Sequence, residues 1–108
     1  MSSKKKEIRK AFRDSCFKRD KFCCVMCGFK STKDKAEKDL DCHHICARDT
    51  MPNGGYCMSN GISLCSSCHI KAEKYYSTGI PYPGYSVDNL FEKINSSFEK
   101  AFEESKLL

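Results

Sequence analysis

Cys24-Val-Met-Cys27 and Cys65-Ser-Ser-Cys68 place four thiols in two pairs, the second about 40 residues after the first. A two-residue gap lets both sulfurs of a pair reach one ion from a tight turn, and Gly28 supplies permissive backbone just after the first pair. Two such pairs make a structural Zn(Cys)4 site of Cys24, Cys27, Cys65 and Cys68. Cys23 is an alternative to Cys24, with a three-residue gap to Cys27. The sequence has nine cysteines, an odd number, and no apolar segment follows the basic start as in a secretory signal. A reducing, cytoplasmic setting and metal thiolates are therefore expected rather than a disulfide framework. Cys16, Cys42, Cys46 and Cys57 are expected to pack as small apolar residues.

The three histidines, His43, His44 and His69, all lie in or beside this cysteine frame and bracket Asn60. A second divalent-cation site, distinct from the thiolate one, needs imidazole or carboxylate ligands with open positions, which His43 and His69 offer. An imidazole left off the metal can act as a general base near neutral pH. Adjacent strand residues point to opposite faces, so His43 and His44 serve one substrate atom only if the strand ends or distorts there. The roles within the pair are open to exchange at this level.

The elements that must position these groups follow from pattern. Ile8, Ala11, Phe12, Cys16 and Phe17 recur at helical steps, predicting an amphipathic helix from Glu7 to about Arg19 behind a basic disordered tail, residues 1–6. Residues 30–38 read as an exposed loop, 40–45 as a short strand, and 49–55 as a turn-rich loop. Residues 61–64 form a second strand, and a helix runs from Ser66 or Ser67 to Tyr76. Gly79 to Gly84 breaks that helix. A last helix, capped by Ser86 or Asp88, carries Leu90, Ile94, Phe98, Ala101 and Phe102 on one face, as core cover or a docking face.

With 108 residues, no Trp and nine of its apolar residues cysteine, the chain has a thin core that needs a staple. It has no apolar run of about 20 residues, so no membrane helix is expected. Residues 1–35 hold 12 Lys/Arg against 4 Asp/Glu, and residues 36–108 hold 7 against 10. The basic third suits a polyanion, with Lys4, Lys5, Lys6, Arg9, Lys10, Arg13, Lys18, Arg19 and Lys21 as contacts. Charge alone favours the plainer reading of a solvated helix face.

Leu40-Asp41-Cys42-His43-His44-Ile45, followed by Asn60-Gly61-Ile62-Ser63-Leu64-Cys65-Ser66-Ser67-Cys68-His69, resembles the HNH endonucleases, also called His-Me finger or ββα-metal nucleases. Arg13-Asp14 or Arg19-Asp20 leading into Phe22–Gly28 resembles the zinc-stapled branch found in bacteria and their phages. The resemblance covers roughly residues 9–76. It implies an α+β fold: a small zinc-stapled ββα-metal domain with flanking N- and C-terminal helices. The division expected is a domain over 7–78, then a linker and amphipathic helix over 79–108.

By the same resemblance, His44 is the general base, His43 and His69 bind the catalytic divalent ion, and Asn60 steadies the loop and histidine by hydrogen bonding. The family often has a further His or Asn after the closing histidine. This chain has none, and Glu73, four residues after His69, is a minor candidate, so the ion is expected on His43, His69 and waters. Arg48, Lys71 and Lys74 are candidates to hold flanking phosphates. The implied cofactors are structural Zn²⁺ and a catalytic Mg²⁺, Mn²⁺ or other transition metal. The implied partner is DNA, most simply double-stranded, with a homodimer or larger DNA-processing complex open and no membrane. Two rival readings stand beside the nuclease: a non-catalytic zinc-dependent nucleic-acid binder and a protein-interaction module.

Overall fold

The computed structural model describes residues 2–108. Helix α1 spans Ser2–Arg19, longer than predicted, so the basic segment 2–6 is helical and not a disordered tail. Its Lys, Arg and Glu residues are good helix formers, and that propensity extends the helix beyond its apolar stripe. Phe12, Cys16 and Phe17 are buried from α1, while Ile8 and Ala11 at the stripe's start stay exposed. A turn with left-handed Lys21 and Phe22 leads to the first cysteine pair. Within that knuckle Gly28 N–H donates to Cys24 O at 3.0 Å, and Val25 N–H ties it to Ser63 O at 3.0 Å.

A short helix α2, Ala36–Asp39, closes the end of the segment expected as loop and runs straight into strand β1, Leu40–His44. Strand β2, Gly61–Cys65, pairs with β1 antiparallel, with Leu40 opposite Cys65 and His44 opposite Gly61. Gly61 is required there: a Cβ would stand 2.5 Å from Cys16 Sγ and 2.6 Å from Phe12 Cε1, so no side chain fits between β2 and α1. The 46–60 connection is three short 3₁₀ turns at Arg48–Thr50, Pro52–Gly55 and Met58–Asn60. Helix α3, Ser66–Thr78, follows β2 without a break and ends on left-handed Gly79. Two antiparallel strands, a helix and flanking helices make up the expected small α+β domain.

The C-terminal stripe is two helices, α4 over Val87–Lys93 and α5 over Phe98–Lys106, where one was expected. Asn95 adopts φ +54° after α4, and Ser97 caps α5 by accepting from Lys100 N–H at 3.1 Å. Asn tolerates the left-handed turn and Ser competes for backbone donors, so Asn95-Ser96-Ser97 stops one helix and starts the next. Ser86 and Asn89 form a capping box on α4.

Leu90, Phe91 and Ala101 join Phe17, Leu40, Ile45, Ile62, Leu64 and Ala72 in one buried cluster. The C-terminal helices therefore cover the same core, and Phe98 alone of the stripe remains well exposed. Helix α5 clamps the 46–60 connection. Asn53 Nδ2 donates to Ser105 O at 3.0 Å, Ser59 Oγ donates to the Glu104 carboxylate, and Ser96 Oγ donates to Ser59 O at 2.8 Å. Among the described residues, no helix is long and apolar enough to cross a membrane.

Candidate active site and metal centres

The knuckle after α1 and the β2–α3 junction bring Cys24, Cys27, Cys65 and Cys68 together, with their sulfurs all within 4.8 Å of one another. Cys27 and Cys65 Sγ are 3.6 Å apart. A tetrahedron with Zn–S bonds of about 2.3 Å has edges of about 3.8 Å, so the cluster has the size of a zinc site. Burial pushes the Cys24 thiol up, but hydrogen bonds from the Cys27, Cys65 and Met26 backbones outweigh it and bring it down to about 7. A thiol that ionises near neutral pH suits a thiolate ligand. Cys23 is excluded from the cluster: its Sγ turns to Lys21 O at 3.3 Å, and its backbone bridges to Lys30.

A second group forms on the far side of Cys68, one residue along α3. His43, His69 and Glu73 each offer a donor atom within 4.8 Å of the others. Glu73 Oε1 lies 3.1 Å from His69 Nε2 and 3.2 Å from His43 Nδ1. The second approach is off the line of a hydrogen bond, so both ring nitrogens of His43 are buried without a hydrogen-bond partner. Ligand bonds of about 2.1 Å place neighbouring donors roughly 3 Å apart, so these three atoms are spaced to share one cation. Two imidazoles and a carboxylate, with open positions, are a transition-metal donor set. Glu73 thus joins the donor group, against the expectation of His43, His69 and waters alone. Its i, i+4 spacing from His69 on one helix face is the sequence signal for that position.

Asp41 is a residue that sequence reasoning missed. Its Oδ2 lies 3.1 Å from His69 Nδ1, which leaves Nε2 facing Glu73. A carboxylate on the outer nitrogen of a ligand histidine fixes its tautomer and ring orientation. The available signal was alternation along β1, which puts Asp41 and His43 on one face.

His43 and His44 line one cleft with Arg48, His69, Glu73 and Tyr76. They do so from opposite walls. The His43 ring packs against α3, 5.1 Å from the His69 ring, while His44 packs 4.6 Å from Phe12 and 4.7 Å from Tyr56. The strand ends at His44, so the alternation persists and the cleft straddles the strand's end. Burial first and the His69 charge second push His43 down to about 4, with Asp41 opposing. For His44, burial comes first, then Arg48 and His43, with Glu73 opposing, and the result is also about 4. Both imidazoles are therefore neutral at pH 7, the form that binds a metal or accepts a proton.

Asn60 is fully buried behind the cleft. Its Oδ1 accepts from Cys46 N–H at 2.9 Å, and its Nδ2 donates to Cys46 O and Gly55 O, each at 3.1 Å. Its backbone carbonyl accepts from Ile45 N–H at 2.9 Å. Asn60 thus pins the chain just after His44 and does not touch the donor group. Tyr76 adds a second pin by donating its hydroxyl to Ile45 O. Cys16, Cys46 and Cys57 are buried as expected, while Cys42 is partly exposed and lines the cleft.

The basic candidates separate. Arg48 Nη1 donates to the Tyr56 hydroxyl at 3.1 Å at the cleft edge. Lys71 and Lys74 sit over the Tyr82 ring at 5.2 and 5.7 Å, beside the cleft rather than in it. Arg13 pairs with Glu37 at 3.4 Å, and Lys18 lies in a groove with Asp14, Asp34 and Glu37. Arg19 is not a free phosphate contact. Its guanidinium holds Asp20 with two contacts of 2.7 Å and donates to Met58 O and Gly61 O, while Asp20 Oδ2 accepts from Ser63 N–H at 3.1 Å. That network binds α1 to β2.

No curated protein and no solved structure matches this chain. The family model described as HNH endonuclease matches residues 24–74, which begin at the first cluster cysteine and end one residue past Glu73. That span holds both donor groups, the histidine pair and Asn60, so residues 24–74 carry a domain that matches the HNH endonuclease model, with a cysteine cluster that fits the family's zinc-stapled branch.

Proposed function

We propose that the protein hydrolyses phosphodiester bonds of DNA, with a divalent cation held by His43, His69 and Glu73 and with His44 as the general base. HNH nucleases act on DNA and use divalent metals. The observation that carries the reading is the convergence of His43 Nδ1, His69 Nε2 and Glu73 Oε1 in an open cleft that His44 also lines. Cys24, Cys27, Cys65 and Cys68 would hold a separate structural zinc.

A cation held by His43, His69 and Glu73 would supply the charge stabilisation that phosphodiester hydrolysis needs. His44, neutral and wedged between Phe12 and Tyr56, accepts the proton of an attacking water on the other wall of the cleft. The negative phosphodiester works against the burial that depresses the His44 pKa, so substrate itself strengthens the base. Arg48, exposed at the rim, is placed to contact a phosphate oxygen. Asp41 and Asn60 act as positioning residues, the first on His69 and the second on the chain after His44.

Cleavage of supercoiled plasmid by zinc-loaded protein, with and without Mg²⁺ or Mn²⁺, tests this directly beside His44→Ala. Metal-dependent nicked or linear product from the wild type alone is expected. DNA binding with no product from either protein would replace the nuclease by a zinc-dependent binding module.

A further inference from the structure

We propose that the groove between α1 and the 53–56 turn is a second phosphate-binding track, seating the nucleic-acid backbone that flanks the phosphate in the histidine cleft. The proposal rests on the nuclease reading above. The groove carries the cations Lys4, Lys5 and Arg9, with Ile8, Leu108 and the Tyr56 ring as apolar walls, and no Asp or Glu side chain is among its described lining residues. Lys5, Ile8 and Arg9 share one face of α1 by their three- and four-residue spacing.

The opposite groove of the same helix shows the contrast. Lys10, Lys18 and Lys33 face Asp14, Asp34 and Glu37 there, and Lys10 Nζ is 2.5 Å from Asp14. Positive charge on that side is balanced within the protein. On the Tyr56 side Lys4, Lys5 and Arg9 stand together with no Asp or Glu side chain among the described lining residues, an arrangement that favours a bound anion.

Tyr56 joins this groove to the cleft. Its ring lies edge-on to His44 at 4.7 Å, and its hydroxyl accepts from Arg48, which lines the cleft. Arg9 lines the groove together with the Tyr56 ring, and its charge acts on the same hydroxyl. Burial pushes the phenol up, and Arg48 and Arg9 together bring it below its ordinary value. A continuous path therefore runs from His44 through Arg48 and Tyr56 to Arg9 and Lys5. A phosphodiester strand is the polyanion that fits it, because its charges repeat along a line that starts at the scissile group.

Binding of a fluorescein-labelled mixed-sequence duplex, measured by anisotropy against salt without added divalent cation, tests the track independently of catalysis. Lys5→Gln combined with Arg9→Gln should weaken binding and shallow the salt slope by about 1 for each residue. Lys18→Gln combined with Lys33→Gln removes the same net charge from the balanced groove and should leave the slope near wild type. Hydrolysis of bis(p-nitrophenyl) phosphate, which reaches only the cleft, should be unchanged in the Lys5/Arg9 variant. An unchanged slope in that variant, or an equal loss in the Lys18/Lys33 control, overturns the track while leaving the nuclease reading intact. A wild type that binds duplex through Lys5 and Arg9 but hydrolyses neither plasmid nor the small diester overturns the nuclease reading and keeps the track as a binding surface.

Discussion

The cysteine cluster and the histidine cleft stand one residue apart on α3, at Cys68 and His69, yet they are built on opposite plans. Four like donors close around the first point, and two of them, Cys24 and Cys68, are buried. The second point has three mixed donors, one of them a half-exposed glutamate, and opens to a cleft that also holds His44 and Arg48. A closed soft-donor set leaves no position for substrate and can only hold the fold together, whereas an open mixed set leaves room for chemistry. The two are mechanically linked. The cluster fixes where α3 starts, and the first turn of α3 then carries His69 toward His43.

The largest effect that would break this comparison lies on the cysteine side. Cys65→Ser should lose its zinc and unfold, because structural zinc contributes about 10–16 kcal/mol of apparent binding free energy. Zinc content and far-UV circular dichroism check this, and a folded, zinc-free variant would remove the division of labour. On the histidine side, His44→Ala should keep zinc and fold while losing about a hundred- to ten-thousand-fold in cleavage rate. Loss of the fold together with the activity would instead make His44 a core residue under Phe12.

Asp41→Asn sharpens the contrast further. It should weaken the catalytic cation by about ten- to a hundred-fold in a Mn²⁺ titration of activity, with the zinc content unmoved. A smaller effect is expected from pH. His44 titrates near 4 in the folded protein and near 6.5 unfolded, so the unfolded chain binds more protons between these values. Stability should therefore fall as pH drops from 6.5 toward 4, and His44→Asn should flatten that decline in urea melts read across the window. Equal slopes in the two proteins would show that other groups set the acid limit.

Much of this site was legible because its chemistry is local in sequence. A CxxC pair must turn tightly whatever surrounds it, and alternation along Leu40–His44 identifies the strand before any partner is known. His43 and His69 are candidate ligands on type and spacing, and the fold brings their rings to 5.1 Å. Other features were not legible, because they depend on elements distant in the chain. Asp41 meets His69 only through the packing of α3 on β1. The basic residues of α1 look alike in sequence, but Arg19 is consumed by Asp20 and the Met58 and Gly61 carbonyls, while Arg9 faces a groove with no Asp or Glu side chain among its described lining residues.

The C-terminal stripe shows the same limit from the other direction. Its periodicity described one helix, and the Asn95-Ser96-Ser97 corner turned it into two that clamp the connection bearing Arg48, Tyr56 and Asn60. Residue type and short spacing thus determined which chemistry this protein carries, since ligand softness, thiol pairing and helical or strand period are properties of a few neighbouring residues. Tertiary structure alone decided which cations stay free, which carboxylates serve a histidine, and on which side of the cleft His44 stands. Those outcomes depend on burial and on partners that the chain brings together from tens of residues away.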